Sequence, residues 1–225
     1  MRVRVNGVDI YYQKLGHGQP LILVHGHHFD SSMYDRVIVP LAADYTVYAL
    51  DLRGHGMSGG EPAEHYQTEV SDLAAFIRKL HIKQPDCFAF GAGGLVALTL
   101  AYQYPNILHK LIVAGTFVNG AGIKPVHYLT EGIHRFVQGN RDSRVELTEN
   151  YLSAEALRQI QVPCLCVVGE KDWVKIEHVR WYSQLMPNAR LVIMPRQKHS
   201  SYVDHSLKTL DLMKDFFKDK GEVQW

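Results

Sequence analysis

The strongest constraint on the fold is the alternation of short apolar runs with amphipathic stretches along most of the 225 residues. Continuous apolar runs are typical of strands buried on both faces, and they lie at 20–24, 45–50, 87–90, 111–114, 164–168 and 191–194. Stretches with helical spacing lie near 69–80, 92–104, 176–185 and 207–218. This alternation predicts an α/β fold with helices on both faces of a mostly parallel sheet, and ligands bound beyond the carboxyl ends of the strands.

The start of the chain predicts a hairpin added to this sheet. Strand-like residues 3–5 and 8–13 flank Asn6-Gly7, and Asn-Gly is a strong signal for a tight turn between antiparallel strands. The sheet should then contain about eight strands. Since no linker-like run divides the chain, we expect a single domain over residues 1–225.

Segment 118–161 interrupts the alternation. It contains short amphipathic helices around 125–137 and 154–160 but no strand-like run. We therefore expect a small helical lid inserted in the domain. Tyr128 and Phe136, both in this segment, are predicted to contact a ligand.

Charge and composition favour a small partner. The chain has 24 Lys and Arg residues against 23 Asp and Glu, a formal net charge of +1, and the two signs are interspersed. No broad basic face for nucleic acid is expected from this pattern. The charged N-terminus and the lack of a long apolar run predict a cytoplasmic protein without a membrane segment. We expect a small-molecule substrate or ligand and no cofactor, and the pattern leaves the oligomeric state open.

The three cysteines are predicted to lie in the core. Cys87, Cys164 and Cys166 each belong to an apolar run that is typical of a buried strand. This placement argues against a disulfide framework. A second cysteine pair, which a metal site built on Cys-x-Cys would need, is missing from the sequence.

Two glycine-containing motifs follow successive apolar runs. Residues 25–28 read His-Gly-His-His and come directly after the run 20–24. Residues 51–58 read Asp-Leu-Arg-Gly-His-Gly-Met-Ser and come after the run 45–50. In the second motif the glycines permit tight turns, and Asp51 and Arg53 are expected to tie loops together.

A third motif lies where a strand passes directly into a helix. The run 87–90 is followed by Gly91-Ala92-Gly93-Gly94 and then by an apolar helical stretch. Farther along, Asp172 follows the run 164–168, and His199 follows the run 191–194. The four motifs, in this order and each after a strand, resemble the α/β-hydrolase superfamily over almost the whole chain.

The resemblance implies a role for each motif. Asp172 and His199 match the acid and the base of a catalytic triad, and the backbone N–H groups of His27 and Ala92 match the oxyanion hole. Gly91 stands at the position of the nucleophilic serine and has no atom that can attack a carbonyl. The further residues that we expect around the substrate are His28, Phe90, Phe117, Tyr128, Phe136 and Trp173.

Two other interpretations of these residues are less favoured. A histidine-rich stretch with Asp30 contains metal-ligand side chains, but its spacing misses the His-x-His-x-Asp-His pattern, so we expect a pocket-lining loop and no metal. Ser58, Ser200 and Ser201 are candidates for a displaced nucleophile. Ser58 belongs to the turn motif, and the other two share the loop of His199, so neither position suits attack assisted by that histidine.

Three functions remain open from the sequence. The first is an enzyme that acts on a small, largely apolar carbonyl or ester compound through His199 and Asp172, without an acyl-enzyme. The second is an esterase-like serine hydrolase that is inactivated by substitution at position 91. The third is a protein that binds a small ligand without catalysis. In the first case His199 would support proton abstraction, lyase-type chemistry or attack by a water molecule within its reach.

Overall fold

The computed structural model describes residues 1–63, 65–125 and 152–218. The strands are β1 Arg2–Val5, β2 Val8–Gly16, β3 Gln19–Val24, β4 Tyr45–Leu50, β5 Asp86–Phe90, β6 Leu111–Ala114, β7 Cys164–Gly169 and β8 Ala189–Met194. The helices in these ranges are α1 Asp35–Leu41, α2 Tyr66–Lys79, α3 Ala92–Gln103, α4 Ala154–Gln159, α5 Ile176–Leu185 and α6 Leu210–Lys218. Short 3-10 turns occupy Ser31–Tyr34 and Gly120–Gly122.

The strands form one eight-stranded sheet in the order β1-β2-β4-β3-β5-β6-β7-β8. The pairs β1·β2 and β2·β4 are antiparallel, and every other neighbouring pair is parallel. The predicted α/β fold with a mostly parallel sheet is therefore confirmed. The opening hairpin is also as predicted, since Asn6 and Gly7 both have positive φ angles, 45° and 82°, as a type I′ turn requires.

Helices cover the two faces of the sheet unequally. Helices α2, α3, α4 and α5 pack on one face, and α1 and α6 pack on the other. Each face of the sheet therefore has its own hydrophobic core, and alternate residues of β3 enter opposite ones. Ile22 and Val24 belong to the core under α2, α3, α4 and α5, and Leu21 and Leu23 belong to the core under α1 and α6. All four residues are fully buried. This burial on both faces explains why the parallel strands appear as continuous apolar runs.

Helix α1 is absent from the sequence-based prediction. It is seven residues long, contains the β-branched residues Val37, Ile38 and Val39, and includes Pro40 near its end. Each of these features weakens the local helical signal. The helix forms because Val37, Ile38 and Leu41 are buried against the sheet.

Only the flanks of the predicted lid lie within the described residues. The helix predicted around 154–160 is α4, in which Ser153 caps the first turn by accepting a hydrogen bond from Ala156 N at 3.2 Å. Leu157 of this helix is fully buried in the core. The helix predicted around 125–137 lies outside the described residues, apart from its first position.

The cysteines occupy the sheet, as predicted. Cys87, Cys164 and Cys166 are free and buried, and burial raises the pKa of the Cys87 thiol well above its ordinary value. A buried, protonated thiol is a poor nucleophile. In the described ranges, no helix is both long and apolar enough to cross a bilayer.

Candidate active site

The turn between β5 and α3 has a backbone that suits glycine. Gly91 has φ 54° and ψ −123°, a conformation that residues with a Cβ rarely adopt. The two glycines that follow allow α3 to begin close to its neighbours. A Cβ on Gly93 would collide with the carbonyl oxygen of His25, and a Cβ on Gly94 would collide with Thr116 Oγ1. Strand, sharp turn and helix thus follow one another as in the elbow that the resemblance implies.

Asp172 and His199 meet at the carboxyl end of the sheet. Asp172 lies in the turn after β7, and His199 lies after β8. The Nδ1 of His199 is 2.8 Å from Asp172 Oδ1, which also accepts a hydrogen bond from Val174 N at 2.9 Å. The carboxylate is almost fully buried, at 1% exposure. Because Nδ1–H donates to the carboxylate, Nε2 of the neutral imidazole is left as a proton acceptor.

This acceptor faces Gly91. A Cβ built on Gly91 would lie 3.7 Å from His199 Nε2 and 3.7 Å from Gly26 Cα. Both values are ordinary van der Waals contacts, so position 91 has room for a small side chain. A nitrogen that can accept a proton thus lies beside the position that the resemblance assigns to a nucleophile.

The imidazole of His199 packs against two aromatic rings. Its ring centroid lies 4.1 Å from that of Trp173 and 4.7 Å from that of Phe90. The side chain of His199 is only 16% exposed as a result. The two rings restrict the orientation of the imidazole beside the cavity.

The His-Gly loop is fixed from inside by His25. The Nδ1–H of this fully buried residue donates to Gly26 O at 2.8 Å, and its Nε2 accepts from Leu52 N at 2.8 Å. Burial lowers the pKa of His25 to about 4, so the ring is neutral at neutral pH. The residue thus joins the loop to the following turn motif and takes no place in the cavity.

The side chain of His27 packs in a column of rings. It stacks on Tyr66 at 5.3 Å and on His55 at 5.7 Å between ring centroids. Its Nε2 lies 3.4 and 3.5 Å from the two carboxylate oxygens of Glu69, a residue of α2 that is 1% exposed. These contacts fix the loop whose backbone N–H is the expected oxyanion donor.

The turn motif at 51–58 has an architectural role, in which Asp51 ties two loops together as expected. Asp51 accepts hydrogen bonds from Ser31 N at 2.8 Å and from Met57 N at 2.7 Å. Arg53 instead forms an ion pair with Asp72 of α2. Ser58 Oγ donates to Asp51 O at 2.7 Å and accepts from Tyr11 N at 2.8 Å, which is a structural role.

A cavity of about 240 Å³ lies over these groups. Its described lining consists of Gly26, His27, His28, Phe29, Phe90, Gly91, Ala92, Phe117, Trp173, His199 and Ser200. The predicted pocket residues His28, Phe90, Phe117 and Trp173 are thus brought together with Gly91. Tyr128 and Phe136 lie outside the described residues. In the described part of the chain, no three His, Cys, Asp or Glu side chains are grouped to hold a metal ion.

The amide of Ala92 reaches this cavity at the start of a helix. Ala92 is the first residue of α3, so its N–H has no intrahelical acceptor. The partial positive charge at the N-terminus of a twelve-residue helix also favours negative charge here. Together with the loop at His27, this end of α3 can stabilise an oxyanion.

Sequence reasoning missed three residues of the site and considered a fourth, Ser200, only as a displaced nucleophile. Phe29 and Ser200 line the cavity, Gly115 makes room for the His199 ring, and Glu69 lies beside His27. Phe29 and Ser200 adjoin motif residues, and this adjacency was the available signal. Ser201, by contrast, is engaged in its own loop, where its Oγ accepts from Lys198 N at 2.9 Å.

Sequence comparison finds similar proteins among hydrolases and esterases. The family model described as serine aminopeptidase, S33, matches residues 17–142. The chain is 26% identical to the human serine hydrolase BPHL over 252 residues, which covers 96% of this chain and 86% of that protein. It is 25% identical to the pimeloyl-[acyl-carrier protein] methyl ester esterase of Legionella pneumophila strain Corby, covering 94% of this chain and 100% of that protein.

Solved structures share the fold. The enol-lactonase from Burkholderia xenovorans LB400 superposes with a TM-score of 0.80, covering 96% of this chain and 99% of that chain. Its sequence identity to this chain is 18%, so the likeness concerns the fold.

Proposed function

Because the chain belongs to the serine aminopeptidase S33 family, within the α/β-hydrolase superfamily, we propose that it hydrolyses a small, largely apolar ester or related carbonyl compound without an acyl-enzyme. The observation that carries this proposal is the hydrogen bond between Asp172 and His199. The Nε2 of His199 lies 3.7 Å from the position that a Cβ on residue 91 would occupy. A base in working geometry is retained although the covalent nucleophile is missing. Relatives named as a methyl ester esterase and an enol-lactonase support an ester or lactone as the substrate.

In the proposed reaction, His199 Nε2 takes a proton from a water molecule as its oxygen attacks the carbonyl carbon. The carbonyl electron pair moves onto oxygen, and the amides of His27 and Ala92 stabilise the oxyanion. When the intermediate collapses, His199 returns the proton to the leaving alkoxide. Asp172 orients the ring and stabilises the imidazolium throughout. The aromatic walls formed by Phe90, Phe117 and Trp173 suit an apolar acyl group.

A second candidate is an esterase-type serine hydrolase that is inactivated at position 91. The favouring observation is that a Cβ at Gly91 meets nothing closer than 3.7 Å outside its chain neighbours. A serine would therefore fit, with its hydroxyl directed at His199.

The test is hydrolysis of p-nitrophenyl acetate by the protein, by His199→Gln and by Gly91→Ser. We expect slow steady turnover by the protein without an initial burst of p-nitrophenol, and a loss of about 10²-fold in His199→Gln. Gly91→Ser should show a burst that reports an acyl-enzyme.

The outcomes separate the candidate functions. Turnover that His199→Gln leaves unchanged contradicts the proposal. A protein without histidine-dependent turnover, together with an active Gly91→Ser variant, favours the inactivated hydrolase. If neither the protein nor Gly91→Ser hydrolyses the ester, and both are folded, ligand binding is the better explanation.

A further inference from the structure

The space beside Gly91 is bounded by few atoms. Among the described residues other than its chain neighbours and the backbone of α3, only Gly26 Cα and His199 Nε2 lie within 4 Å of a Cβ built there. The Gly91 backbone keeps the conformation that would direct a side chain towards His199. The cavity thus contains, next to its base, a recess about the size of the missing side chain.

A free molecule in this recess must sit farther out than a bonded side chain. A nonbonded carbon or oxygen stays about 3.5 Å from the glycine Cα, whereas a bonded Cβ would be about 1.5 Å away. The displacement carries it into the cavity beside His199. The acceptor nearest to such a molecule is His199 Nε2, which lies 3.7 Å from the Cβ position.

From this geometry we infer that Gly91 forms a subsite for a second, very small substrate, namely an alcohol of one or two carbons that replaces water as the acyl acceptor. The inference rests on the proposed role of His199 as base. It makes the reaction a direct acyl transfer between two molecules bound at once. A family hydrolase with serine at this position would form an acyl-enzyme first.

The acceptor must be small because it shares the cavity with the ester. The whole cavity is about 240 Å³, and the rings of Phe90 and Trp173 occupy its walls next to His199. The recess itself has only the size of a hydroxymethyl group, the side chain of serine. Methanol fits this description, whereas a branched alcohol would overlap the acyl group or the rings.

The transfer step balances without a further reactant. His199 Nε2 removes the hydroxyl proton of methanol while the new C–O bond forms, and the carbonyl electron pair becomes the oxyanion. The bond to the leaving alkoxide then breaks, and the imidazolium supplies its proton. The products are a methyl ester and the leaving alcohol, and no oxidation state changes.

The experiment follows both products from p-nitrophenyl butyrate, butyric acid and methyl butyrate, over a range of methanol concentrations. We expect the rate of methyl butyrate formation to saturate with methanol and to give converging double-reciprocal plots. The rate should fall about 10²-fold in His199→Gln. Propan-2-ol, the size control, should give no ester above background. Gly91→Ala, which places a methyl group in the recess, should lower methyl butyrate formation about tenfold or more.

Each result has a distinct meaning. The inference is wrong if methyl butyrate rises linearly with methanol to the same extent in the protein and in folded Gly91→Ala, or if propan-2-ol serves equally well. Histidine-dependent formation of butyric acid alone leaves the proposed hydrolysis standing without the subsite. Saturable methyl ester formation without histidine-dependent hydrolysis supports the subsite and contradicts water as the acceptor. If neither product depends on His199, both proposals fail.

Discussion

The position of a single imidazole in this site depends on a glycine from another strand. Gly115 follows β6 with φ 58°, and a Cβ on it would lie 2.9 Å from His199 Cε1 and 3.0 Å from Nδ1. Real Cβ atoms do not approach other atoms so closely, so the ring occupies space that any other residue would fill. Any other residue at position 115 would therefore force the imidazole of His199 to shift.

We predict that Gly115→Ala displaces the imidazole and lowers kcat for ester hydrolysis by about tenfold or more, since a shift of about 1 Å at a reacting group is costly. The effect is measured in the Gly91→Ser background, where acyl-enzyme formation gives a strong signal. Gly7→Ala is the matched control, because Gly7 also has a positive φ, 82°, but a Cβ there meets nothing within 4 Å. Equal losses of activity in the two variants would contradict the steric explanation.

At the scale of elements, helix α2 positions the loop that contains His27. It contributes the buried Glu69 beside His27 and also Asp72, which holds Arg53 of the turn motif. A buried carboxylate is unfavourable unless a charged or hydrogen-bonding partner compensates it. The contact with His27 therefore joins the helix to the loop.

We predict that Glu69→Gln, again in the Gly91→Ser background, lowers kcat severalfold and leaves KM nearly unchanged. The physical reason is that an oxyanion donor acts mainly in the transition state, so its misplacement affects kcat. Glu61→Gln removes the same charge from an exposed position and serves as the control. A rise in KM with constant kcat would instead assign Glu69 to substrate binding.

The elements differ in how far the sequence predicts them. The parallel strands are predictable because burial on both faces leaves continuous apolar runs, and the motifs after them fall in a fixed order. Helix α1 is not predictable locally, because its β-branched residues and Pro40 are compensated by packing. Glu69 and Gly115 have ordinary sequence surroundings, and their importance arises only from contacts with residues 42 and 84 positions away.

At the scale of the whole molecule, buried histidines couple stability to pH. Burial lowers the pKa of His25 to about 4, and burial with Lys175 nearby lowers the pKa of His178 to about 4, from the ordinary 6.5. The unfolded chain therefore binds more protons than the folded chain between these values. The stabilisation from both residues is complete above about pH 6.5 and is lost as the pH falls towards 4. Asp86 acts in the opposite direction, since burial raises the pKa of its carboxyl to about 6.

A comparison of the protein with His178→Gln isolates the contribution of one histidine. The glutamine side chain keeps an acceptor for Val118 N–H, which donates to His178 Nε2 in the protein. Between about pH 7 and about pH 5, the free energy of unfolding of the protein should fall by roughly 2 kcal/mol more than that of the variant. Urea unfolding at the two pH values measures this difference, and the contribution of Asp86 cancels because both chains contain it. His17→Gln, at an exposed position, should behave like the unaltered protein. If the free energy of unfolding changed with pH in the same way in the protein and in His178→Gln, His178 would be protonated as readily in the folded state as in the unfolded state. This result would contradict its burial as a neutral ring.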